Sequence, residues 1–120
     1  MDFDSLTVVL LEAREDAPAL DEAAANALQD AHLDFLATLH EQGHLVAAGP
    51  AADPQGIIRG ISVLTVSPER ALELKSADPA VVAGLYRLRV VPWRLPAGAV
   101  HFTPARFPHS IADVLGPGPG

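Results

Sequence analysis

The longest run of helical periodicity, about Ala19 to Gln42, is flanked on both sides by short β-branched runs. This alternation points to a mixed α+β chain. Ala, Leu, Glu and Gln fill the run, and Asp21 and Glu22 lie near its N-terminal end, where the helix dipole favours negative charge. Leu28, Phe35, Leu36 and Leu39 recur at three- and four-residue spacing and make one apolar stripe. Gly43 supplies a left-handed stop. Upstream, Leu6 to Leu11 is apolar, partly β-branched, too short for a helix and bounded by charge, which predicts a central strand. Downstream, His44 to Ala48 predicts a second strand, ended by Gly49-Pro50 and a turn-rich segment. Ile57 to Val66 predicts a third, in which Gly60 marks a bulge or a close backbone approach.

Ser67-Pro68-Glu69 carries an N-cap followed by proline at the first helical position, so Ala71, Leu72, Leu74 and Lys75 continue as a second, shorter helix. Asp78-Pro79 caps a further short turn through Ala83, and Leu85 to Trp93 predicts a fourth strand, stopped by Pro92 and Pro96. The resulting order, βαββαβ, is an α+β, ferredoxin-like arrangement with both helices on one face of an antiparallel sheet. The other face needs a cover, and a second copy of the sheet is the simplest one, so a symmetric homodimer is expected. Residues 1–95 form this domain. Residues 96–120 read as a Pro/Gly-rich, partly flexible extension with a possible short strand at Val100 to Thr103 and a terminal Gly-Pro-Gly-Pro-Gly that either stays mobile or docks onto the partner subunit.

Bulk properties narrow the function. A chain of 120 residues supports one core, and its 49% hydrophobic content is mostly aliphatic. The absence of cysteine removes disulfides, thiolate metal sites and a thiol nucleophile, in accord with a reducing, cytoplasmic setting. Met1 to Ser5 holds two Asp and no basic run, so no secretory or transit signal is expected there. Apolar stretches break well before the roughly 20 residues that span a bilayer. A net charge of −7 with scattered Arg residues opposes nucleic-acid binding.

Four blocks then stand out in order: Asp30 to Leu36 around His32, Gly43 to Pro50, Ser76 to Gly84 around Asp78-Pro79, and Val91-Pro92-Trp93. Together they resemble the YciI-like family over about Leu6 to Trp93. The resemblance implies a dimeric α+β barrel of ferredoxin-like subunits with a pocket near the sheet. There a His on the first helix approaches an Asp of an Ala-Asp-Pro segment, here His32 and Asp78. It also implies lyase- or isomerase-like chemistry on small, often ring-containing molecules. The chain departs from the commonest pattern at Asp30, where a basic residue is frequent.

His32 falls in the middle of the apolar stripe, so its ring is either a satisfied core histidine or a general base. Asp78 is an N-cap on its own; as a partner it would also fix the tautomer of His32 and raise its basicity. Arg59 and Ser62, with Arg87 or Arg89, are candidates to line a pocket, an Arg gripping a ligand anion, or else belong to a solvated sheet face. Gly49 and Pro50 shape the pocket rim through their backbone. His40-Glu41-Gln42-Gly43-His44 matches the H-E-x-x-H zinc pattern, but Gly43 ends the helix that this pattern requires, so no metal is expected. His101 is not assigned to the site, and Trp93 reads as a packing anchor. Two functions follow. The first is a cofactor-independent lyase or isomerase using a His32–Asp78 dyad on a small organic acid or ring compound. The alternative is a non-catalytic dimeric ligand-binding or accessory module.

Overall fold

The computed structural model describes residues 1–116, so the last four residues of the expected tail lie outside it. The elements run β1 (Phe3–Ala13), α1 (Glu22–Glu41), β2 (Leu45–Pro50), β3 (Ile58–Leu64), α2 (Pro68–Lys75), α3 (Pro79–Val82), β4 (Tyr86–Pro96) and α4 (Ile111–Leu115). The strands form one sheet in the order β2-β3-β1-β4, and every neighbouring pair is antiparallel. These are two interleaved split β-α-β units, the mixed α+β architecture expected from the order of elements. No helix among the described residues is long and apolar enough to cross a membrane.

Local chemistry sets the ends of α1. The Asp21 carboxylate accepts from the Ala24 N–H at 2.7 Å and caps its first turn. Gly43, at φ 84°, takes the left-handed turn that sends the chain into β2. Thr7, Val9 and Leu11 alternate along β1 onto the face that the helices cover, where Val9 joins Leu39, Leu45, Leu64 and Ala71 in a buried core. Each such fully buried Val or Leu contributes about 1.5–3 kcal/mol. The opposite face carries Leu6, Val8 and Leu10, paired across the ladders with Trp93, with Val63 and Val91, and with Ile61 and Arg89. Ile61 and Trp93 are each 42% exposed there, so within this chain Trp93 is not the packing anchor expected of it.

One strand, β4, differs from expectation for a physical reason, and β3 has the bulge and close approach expected at Gly60. β4 runs through Pro92, which pairs with Thr7, and ends only at Pro96. β4 is an edge strand, and an edge tolerates a residue with no N–H to give. In β3 the register slips so that Leu11 faces Gly60 while Glu12 faces Ile58, which leaves Arg59 unpaired with β1. A Cβ on Gly60 would stand 3.1 Å from Leu11 Cδ1, the close approach that its glycine allows. Val100 to Thr103 forms no strand, and α4, which composition concealed, folds beyond it.

Candidate active site

His32 stands on the inward face of α1, its side chain only 12% exposed, and Asp78 caps α3 from a fully buried position. The two residues are 46 positions apart in the chain, yet His32 Nδ1 lies 2.9 and 2.8 Å from the two carboxylate oxygens. A carboxylate only accepts, so His32 donates from Nδ1. Among the described residues no protein group bonds its Nε2, and the ring borders a cavity of about 420 Å³. Asp78 Oδ1 also accepts from the Ala80 N–H at 2.9 Å, so capping and the contact with His32 use the same carboxylate.

Lys75, a residue to which the sequence pattern gave no role, completes the group. Its side chain is fully buried at the end of α2; Nζ donates to Ser62 Oγ at 3.3 Å and lies 3.7 Å from Asp78 Oδ2 and 5.9 Å from the centre of the Phe35 ring. Burial pushes the Lys75 amine below the usual lysine range, and the Asp78 charge opposes that shift. A buried carboxylate held between an imidazole and an ammonium is electrostatically compensated, so it orients His32 without standing as an isolated charge.

The cavity brings together His32, Gly49, Pro50, Arg59 and Ser62 from three elements. Asp78 sits behind His32, away from the lining. Arg87 and Arg89 do not border the cavity; Arg89 pairs with Leu10 on the open face. His101 is exposed and apart from it. Lining residues that sequence patterns did not single out are Gln29, Tyr86, Phe107, Pro108 and Val114. The H-E-x-x-H histidines separate at the helix end. His40 Nδ1 and Nε2 lie 2.6 and 2.8 Å from the carbonyl oxygens of Leu45 and Ala105, and the His44 N–H donates to the Leu39 carbonyl at 3.1 Å. No group of three or more metal-ligating side chains occurs among the described residues.

With this geometry, the chain is similar to 5-chloro-2-hydroxyhydroquinone dehydrochlorinase (TftG) of Burkholderia phenoliruptrix, solved in complex with 2,5-dihydroxybenzoquinone. The TM-score is 0.53 at 19% identity, over 73% of this chain and 92% of that one. It is also similar to a dimeric protein of unknown function and ferredoxin-like fold from Bacteroides fragilis, with TM-score 0.44 and 13% identity over 76% and 95% of the two chains. None of the curated proteins compared with the chain matches it. The model of the YCII-related domain matches residues 6–94, from β1 to near the end of β4, and the chain belongs to that family.

Proposed function

We propose that the protein is a cofactor-independent lyase or isomerase that moves a proton on a small organic acid or ring compound. The observation that carries this reading is a buried carboxylate bonded to His32 Nδ1 while the same ring borders an open cavity. His32 Nε2 takes a proton from a substrate carbon as Asp78 steadies the imidazolium that forms. The electron pair left on carbon then either expels a leaving group, which is elimination, or is reprotonated by His32 at another carbon, which is isomerisation. Arg59 faces the anionic oxygen of the substrate. Ser62, whose Oγ already accepts from Lys75, gives its own hydrogen to a ligand oxygen, and the Gly49 and Pro50 backbone shapes the rim. A cavity of about 420 Å³ suits a molecule of one or two rings, and the similar dehydrochlorinase holds a single-ring quinone.

Proton NMR in deuterated buffer, with hydroquinones, their chlorinated forms and ring carboxylic acids, tests the reaction. Deuterium appearing at a substrate carbon, or loss of chloride, is the expected result. Tight binding with neither outcome moves the assignment to a non-catalytic ligand-binding or accessory module.

The same reading makes the protein a homodimer joined through the open sheet face. Leu6, Val8, Leu10, Ile61 and Val91 put an apolar surface where neither long helix lies. Val8 is central, between Val63 and Val91, so Val8→Lys would place a charge in the middle of the interface. Sedimentation equilibrium is expected to return a dimer for the natural sequence and a folded monomer for the variant. A natural protein that sediments as a monomer removes the dimer.

A further inference from the structure

The matched family ends at residue 94, but the cavity does not. Phe107, Pro108 and Val114 supply part of its lining, and all three come from the segment that returns across α1. We propose that residues 105–115 are a latched wall controlling access to His32, with Phe107, Pro108 and Val114 as ligand-facing residues and His109 as the latch. This rests on the reading of the cavity as a ligand site, but not on the chemistry assigned to His32.

The wall is apolar where it meets the cavity and polar where it is fastened. On the inner side the Phe107 ring stacks on His40, with centroids 4.0 Å apart and planes 11° from parallel, so an aromatic surface lies beside the space that a ligand would fill. On the outer side the Ile111 N–H donates to Asp30 Oδ1 at 2.8 Å, and the His109 ring spans Asp34 Oδ1 and Glu41 Oε1, each at 2.6 Å. Asp30, the position that departs from the family pattern, thus holds the segment. The other charged groups at the latch are Asp113, which accepts from the His109 N–H at 2.9 Å, and Arg106, 3.4 Å from Asp113. The fastenings are largely solvent-exposed, the kind of contact that opens locally while the core stays folded.

Both ring nitrogens of His109 face carboxylates, which only accept, so the ring holds both only as the imidazolium. Its hydrogen bonds to Asp34 and then Glu41 raise its pKa above the ordinary 6.5. The latch is therefore complete below pH 6.5 and is lost as pH rises through the raised value.

Carbethoxylation by diethyl pyrocarbonate, mapped by mass spectrometry at one fixed pH just below 6.5, reads access directly, with exposed His101 as the internal reference. His109→Gln and Phe107→Ala are each expected to raise the His32 rate severalfold relative to His101. In His109→Gln, faster hydrogen exchange across 105–115 with unchanged exchange in the sheet would show that the fold persists. Equal His32 rates in the natural protein and both variants overturn the proposal. Turnover is not read, so a protein that binds without catalysis would still show the change in access.

Discussion

Asp78→Ala is expected to destabilise the fold by about 3–5 kcal/mol, because it removes one partner of a buried ion pair and leaves the other charge behind. Three groups depend on that carboxylate: His32 Nδ1 at 2.8 Å, the Ala80 N–H at 2.9 Å and Lys75 Nζ at 3.7 Å. Lys75 has no access to water, and among the described residues Ser62 alone would remain to it as a polar partner within reach. Loss of the cap adds about 1 kcal/mol. Against a typical total of about 5–15 kcal/mol, the change moves the urea midpoint far enough to read without ambiguity. Lys75→Met in the same chain should return part of the loss by removing the stranded ammonium, a coupling that two independent sites would not show. A loss under about 1 kcal/mol for Asp78→Ala would mean that the carboxylate acts as an ordinary cap.

His32→Gln is expected to leave the fold intact and to lower kcat by about 10²–10⁴-fold for any compound that the natural protein turns over, the usual range for a lost general acid–base group. The glutamine amide can still donate to Asp78, so the carboxylate keeps a partner, but it cannot take up a proton. Because the loss falls on the transition state, KM should change little. Turnover equal to that of the natural protein would remove His32 from the reaction. Loss of binding with kcat unchanged would make it a binding residue.

The pattern of residues carried the sheet and the two main helices and placed His32 and Asp78 individually, each for a local reason, whereas their pairing across 46 positions was implied by the family resemblance and by no local spacing. The stripe of Leu28, Phe35 and Leu36 turned His32 inward, and Asp78-Pro79 announced a cap. Lys75 was hidden because α2 is only eight residues long. Leu72 and Leu74 make the apolar side of so short a helix ambiguous, and the fold resolves it by exposing Leu72 at 47% and burying Ala71 and Lys75. The signal that did exist was the spacing of Lys75 three residues before Asp78. The wall of the cavity was hidden by composition. Pro and Gly dominate the region after Leu95, yet Ser110-Ile111-Ala112-Asp113 has the form of a capping box, and Ser110 Oγ accepts from the Asp113 N–H at 3.1 Å. That Phe107 reaches the cavity follows from tertiary packing, which no local spacing encodes.

Pro92 and Pro96 have a meaning beyond the length of β4. A strand on the rim of a sheet presents unpaired backbone donors and acceptors, and it is there that amyloid-like growth and runaway lateral stacking of chains begin. β4 occupies that rim with two residues that have no N–H to offer, and β2, on the opposite rim, ends at Gly49-Pro50. Neither rim is a good template for an added strand, so the sheet resists sideways polymerisation even where its broad apolar side stays available to another molecule.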